Sequence, residues 1–320
     1  MATPLSAETA STQPPRPRAG CLRTALSRLA IVGVGVMVSL CLVEIGVRLV
    51  APQHLQYISA GLFEADPRRI YRLAADFSGT ISTTEFTTEV QTDAQHLRES
   101  QDYGPKPEET YRILVLGDSF TFAAQVPADQ AYPKLLQSQL NEADPDHRYE
   151  VINAGVGGYG PEQEEIYLET EGLQLEPDLV IVSFFTENDM TDHVDPNVYV
   201  EDGRLYTHSE DSLKTQVLRP IHEWLQGNSH AYVFLTNRLN TLLWRFGLRD
   251  YWFPPAFKRE YDAAMQASWA FAQDQLARLI DTAHAANAQV VIVVIPTAYQ
   301  ADLNLWQQYL QIYAPAGGGG

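Results

Sequence analysis

Apolar and polar positions alternate differently in four stretches of the chain. Residues 29–43 carry no charge, and the apolar pattern resumes beyond Glu44 as far as Val50. Residues 29–50 span about 33 Å at the helical rise, enough to cross a bilayer. Glu44 and Arg48 lie four apart and share one face of that helix. Residues 1–28 are rich in Pro, Ser, Thr and Ala, with Arg16, Arg18, Arg23 and Arg28 against the single acid Glu8. This predicts a disordered basic tail on the inner side, a signal anchor, and a following domain outside the cytoplasm. A cleaved signal peptide and a buried core helix are the competing readings. No small-x-small cleavage site follows the apolar run, which favours the anchor.

Residues 51–109 are mixed, and the alternation over Ser82–Gln91 predicts an edge strand or hairpin. We read this segment as a stalk with a small lid. From residue 110 the pattern becomes strand then helix, repeated. Short branched runs predict buried strands at Ile113–Leu116, from Val151, at Leu179–Phe185 and at Gln289–Pro296. Helices are predicted over Gln130–Leu140, Glu162–Glu171 and Glu260–Ala286. Residues 195–255 interrupt the repeat with Trp224, Trp244 and Trp252, an insertion read as capping one edge of the sheet. Its aromatics suit sugar stacking, or simply form the insertion's own core. Alternating strands and helices predict an α/β fold with a central parallel sheet over residues 110–320.

Composition narrows the function. The net charge is −18, from 40 acidic and 22 basic residues. A surface this acidic repels phosphate backbones and argues against nucleic-acid partners. The two cysteines, Cys21 and Cys41, both precede the folded part, which leaves no cysteine-based metal site there. No histidine cluster has metal-ligand spacing. No cofactor is expected.

The chemistry sits at strand ends. Gly117-Asp118-Ser119 breaks the first apolar run and leads into a helix. Such a mount suits a nucleophile, because backbone N–H groups at the turn converge where an oxyanion would form. It equally suits a serine that caps a helix. The second strand runs into Asn153-Ala154-Gly155-Val156-Gly157-Gly158-Tyr159-Gly160, and the third ends at Glu187-Asn188-Asp189. In an open parallel sheet, the carboxyl ends of the strands are where ligands bind.

GDSF, NAGVGGYG and END, in that order, resemble the SGNH hydrolases, the GDSL-like lipase/esterase family. The resemblance covers about residues 112–297. It implies a flavodoxin-like three-layer α/β/α sandwich. It also implies that Ser119 is the nucleophile, with the Gly158 N–H and the Asn188 amide completing the oxyanion hole. The family's D-x-x-H block, which supplies the base, has no counterpart near the C-terminus, and no histidine follows His284. On this ground the chain is expected to be a truncated, catalytically impaired member. Asp144-Pro145-Asp146-His147 and Asp281-Thr282-Ala283-His284 match the pattern but fall at the wrong edge of the sheet. His193 lies nearer the right edge, as a substitute base. Glu187, where relatives carry a smaller residue, would oppose negative charge beside the oxyanion.

The resemblance implies a membrane-anchored serine esterase acting on O-acyl, chiefly O-acetyl, groups of carbohydrate or lipid outside the cytoplasm. A polysaccharide O-acetyltransferase and a catalytically inactive glycan-binding domain are the alternatives.

Overall fold

The computed structural model describes residues 19–208, 213–246, 248 and 260–307. The chain divides into two compact units, residues 1–52 and 53–320.

The first unit is dominated by helix α1 (Ala19–Val50). Within it, Leu26–Val50 is long and apolar enough to cross a membrane, with its side chains exposed. Arg48 pairs with Glu44 one turn earlier, at 2.5 Å, as their spacing predicts.

The second unit opens with antiparallel strands. These are β1 (Tyr57–Ile58), β2 (Phe63–Asp66), β3 (Ile70–Leu73), β4 (Ser78–Ser82) and β5 (Thr87–Gln91). Strand β4 pairs with β1 and β5, and β2 pairs with β3. The Thr-rich alternation therefore ends in a ladder. Residues of the expected stalk and lid, including Leu62, Tyr71 and Val90, share one core with Phe122, Val156 and Tyr159.

The central sheet follows: β6 (Thr110–Gly117), β7 (Arg148–Asn153), β8 (Leu179–Phe185) and, late in the chain, β11 (Gln289–Ile295). All pairings are parallel, in the order β11-β8-β6-β7. After β6 come the single turn α2 (Ser119–Phe122) and α3 (Tyr132–Ala143). Helix α4 (Pro161–Thr170) joins β7 to β8, and α7 (Ala263–Ala285) precedes β11. Alternate residues of β6 serve the two faces. Leu114 and Leu116 pack with Leu168 of α4 and Leu279 of α7. Ile113 and Val115 pack with Leu136 and Leu140 of α3. Helices on both faces of a parallel sheet make the predicted three layers.

One expectation changes. The fourth strand was predicted to be buried, but Val291, Ile292, Val293 and Val294 are 40–60% exposed. Strand β11 is the sheet's edge, and no strand flanks its outer side among the described residues. An apolar run specifies a strand, while its neighbours decide burial. Helix α4, acidic in sequence, buries Gln163 and Glu164.

Between β8 and α7 lie a hairpin and a helix pair. The hairpin is β9 (Val198–Glu201) with β10 (Arg204–Thr207). The helices are α5 (Leu213–Asn228) and α6 (His230–Arg245). Val198, Val200 and Leu205 of the hairpin pack on the core that contains Tyr71 and Leu73. Trp252 of the predicted insertion falls outside the described residues.

Candidate active site

The sheet order reverses at β6: the chain steps to β7, then crosses back to β8. At such a reversal the connections leave on opposite faces and open a crevice beyond the carboxyl ends. Ser119 follows β6 and Asn188 follows β8, so the two flank that crevice.

The Ser119 turn is tightly held. Asp118 is the N-cap of α2 and accepts the Phe120 N–H through Oδ1 at 2.8 Å. Asp118 is fully buried, whereas Ser119 is exposed. At the other end of the turn, buried Arg98 donates to the carbonyls of Phe122 (2.5 Å), Ala123 (2.6 Å) and Val126 (2.6 Å). One guanidinium thus bonds three carbonyls at and just beyond the end of the short helix.

The second loop closes against this turn. A side chain at Gly155 would run into the backbone nitrogen of Phe122. A Cβ on Gly157 would lie 4.0 Å from Ser119 Cβ, so this loop borders Ser119. Gly158 adopts φ +81°, a conformation that favours glycine, and faces the Tyr71 hydroxyl. The Tyr71 hydroxyl donates to the Gly157 carbonyl (3.0 Å), and the Tyr159 hydroxyl donates to the Tyr71 carbonyl (2.5 Å). The Gly157 carbonyl and the Gly158 N–H share one trans peptide and point opposite ways, so the Tyr71 bond also fixes the direction of that N–H.

The third strand end supplies Asn188. Its Nδ2 donates to Asp192 Oδ2 (2.6 Å) and, at 3.4 Å, to Asp118 Oδ2. Sequence reasoning missed Asp118 and Asp192 as the groups that aim this amide. The i, i+4 spacing of Asn188 and Asp192 was the available signal. Tyr71 and Arg98 left none, because their partners are distant in sequence.

Four carboxyls gather behind the crevice. Burial, and secondarily the charge of its neighbours, raises the pKa of Asp189 and Glu164 strongly. Asp118 is raised by burial against its hydrogen bonds, and burial pushes Asp192 up to about 6. Glu164 Oε1 and Asp189 Oδ1 are buried without a partner. A cluster this dry cannot hold four negative charges, so it retains protons at neutral pH. Burial also raises the pKa of Glu187.

The histidines are dispersed. His147 Nδ1 meets Asp144 Oδ2 at 2.8 Å, exposed, immediately before β7 and therefore at the amino edge. His284 lines a small cavity with Gln289 and Val290 at the start of β11, also the amino edge. His193 stands edge-on to Phe271, its Nδ1 buried without a partner. No histidine is hydrogen-bonded to Ser119 among the described residues. No group of three or more metal-capable side chains is found among them either. A separate cavity of about 1020 Å³ is lined by Tyr57, Arg204, Tyr206 and Trp224, and includes none of Ser119, Gly158 and Asn188.

The sequence model of the GDSL-like Lipase/Acylhydrolase family matches residues 115–315. No curated protein matches the chain. Among solved structures, the chain is similar to a two-domain esterase (CEX) active on acetylated mannans. Identity is 28%, over 27% of this chain and 23% of that one, with a TM-score of 0.25. It is also similar to AlinE4, an SGNH-hydrolase family esterase: 17% identity, 58% and 77% coverage, TM-score 0.26. A third is a catalytic mutant of an acetylxylan esterase from Geobacillus stearothermophilus: 14% identity, 67% and 90% coverage, TM-score 0.22. The chain spans under a quarter of the length of the mannan-active esterase. With a match across well over half its length, and a serine turn, a glycine loop and an asparagine converging on one sheet edge, this chain belongs to the GDSL-like lipase/acylhydrolase family.

Proposed function

We propose that the chain is a serine-dependent acyl hydrolase in which Ser119 Oγ attacks an ester carbonyl. The observation that carries this reading is the exposed Ser119 at the crevice, bordered by the Gly157–Gly158 loop on one side and Asn188 on the other. The Ser119 N–H, the Gly158 N–H and Asn188 Nδ2 serve as the oxyanion donors. Removal of one such donor costs about 3 kcal/mol of transition-state stabilisation. The substrate class is an O-acyl ester, with acetyl esters of carbohydrate as the preferred case. Tyr57 and Tyr206 line the separate cavity and present faces on which sugar rings can stack. The apolar helix Leu26–Val50 anchors the chain in the cytoplasmic membrane, with the sheet outside the cytoplasm.

No histidine is hydrogen-bonded to Ser119 among the described residues, so slow turnover is the expected outcome. A second reading, a glycan-binding domain without catalysis, draws on the same fact and on the two carboxyls that engage the Asn188 amide.

The test is hydrolysis of a short acyl ester by the purified full chain in detergent, alongside labelling with a fluorophosphonate. Turnover and labelling that both vanish in Ser119→Ala support the hydrolase. Glycan binding that survives Ser119→Ala, with no labelling of the parent chain, replaces it with the binding reading.

A further inference from the structure

Helix α5 is built inside out. Its polar residues face the folded unit: Arg219 stacks 4.2 Å over the Tyr206 ring, and Glu223 accepts from Arg204 (2.6 Å) and the Tyr206 hydroxyl (3.1 Å). Its apolar residues Val217, Ile221 and Trp224 are all more than half exposed. They recur every three or four positions and so form one stripe. Helix α6 repeats the arrangement. Ala231 and Val233 are buried at its start, while Leu235, Leu239 and Leu242 form an exposed stripe at spacings of four and three. Two consecutive helices that turn their apolar faces outward mark an interaction surface.

The covering partner is identified by chain connectivity and charge. The corner between α5 and α6 is bonded to the first residues of the folded unit. The Gln53 N–H donates to His230 Nδ1 (2.8 Å), and the Gln56 N–H donates to the Gln226 carbonyl (3.1 Å). Gln53 is three residues beyond Val50, the last residue of the apolar helix. Three residues reach at most about 10 Å. The covalent chain alone therefore keeps Gln53 within that distance of Val50. Residues 213–245 also carry four basic residues and one acidic, in a chain whose net charge is −18. A locally cationic, outwardly apolar helix pair with an exposed Trp matches an anionic bilayer interface.

We propose that the α5–α6 pair lies in the membrane interface, its apolar stripes at the level of the lipid headgroups. This rests on the reading of α1 as an anchor. The protein would then meet the bilayer at two places, a crossing helix and a flat pair.

The test uses the full chain with Cys21→Ser and Cys41→Ser, reconstituted in phosphatidylcholine–phosphatidylglycerol vesicles. A nitroxide is placed singly through Val36→Cys, Ile221→Cys, Leu239→Cys or Asp146→Cys. Accessibility to oxygen and to a water-soluble nickel complex gives depth. Labels at 36 should lie deep, those at 221 and 239 shallow in lipid, and that at 146 in water. Raising the phosphatidylglycerol fraction should shift 221 and 239 further toward lipid and leave 146 unchanged. If 36 is deep but 221 and 239 match 146, the anchor stands and the interfacial pair is refuted. If 221 and 239 are shielded from both reagents, a protein surface covers the stripes and the proposal fails. If 36 is also in water, both readings fall.

Discussion

Strands β6 and β11 end alike. Both carry an apolar branched run, residues 113–116 and 290–295, in one parallel sheet, and each leads into a four-residue helical turn with a side-chain cap. Asp118 caps α2, and Thr297 caps α8 (Ala298–Ala301) by accepting the Gln300 N–H. Yet Leu114 and Val115 of β6 are fully buried, while Val294 of β11 is 60% exposed. The turn after β6 is clasped by Arg98, pressed by the Gly155 loop and backed by four carboxyls. The turn after β11 has Gln300 closing on Thr297 and Thr186, and little else. The same local design becomes a site only where neighbouring strands bring their own loops to it. An exposed hydroxyl gains its chemistry from the two strand ends on either side.

That contrast can be broken most directly at the two turns. Ser119→Ala should abolish ester turnover and leave the thermal midpoint nearly unchanged, because Ser119 is exposed. Thr297→Ala should lose a cap, about 1 kcal/mol by denaturant titration, with turnover retained. Equal loss of activity in both would mean that the edge turn belongs to the site. Asn188→Ala should lower kcat about 10²- to 10³-fold if its amide holds the oxyanion. A purely structural Asn188 would instead lower stability and leave kcat per folded molecule intact.

The strands themselves give the next test. Leu114→Ala should cost about 3 kcal/mol, a buried Leu in a packed core. Val293→Ala should cost under about 1 kcal/mol, since its side chain already meets solvent. Similar losses, read from urea midpoints, would show that β11 is covered in solution.

The smallest effect concerns the carboxyls behind Ser119. Their native pKa values are raised, so the folded state holds protons that the unfolded chain releases above about pH 4. Stability from this source is full below that pH and is lost as pH rises through about 6, where Asp192 titrates, and beyond. Glu164→Gln should flatten the decline in thermal midpoint between pH 5 and pH 8. An unchanged decline would place the protons elsewhere.

The sheet and its three loops were legible because apolar runs stop at Gly117, at Asn153 and before Glu187, and those interruptions fix both strand length and loop chemistry. Tyr71 and Arg98 were not. Each acts on a backbone carbonyl, of Gly157 and Phe122 respectively, and a carbonyl leaves no mark in sequence. The exposure of β11 was equally hidden, since Gln289–Ile295 reads like any interior strand. The outward stripes of α5 and α6 have ordinary amphipathic spacing. Only the inward contacts of Arg219 and Glu223 reveal which face is turned out.

The open side of β11 also bears on how this protein behaves at concentration. Seven uncharged residues, without the lysine, proline or bulge that usually blunts such a border, present a ready template for another chain's backbone. Left unpaired, that border would recruit extended segments from other molecules and seed ordered aggregates with a cross-β repeat. Among the described residues, the sheet that positions Ser119 therefore also carries an unpaired border at which backbone pairing with another chain is expected.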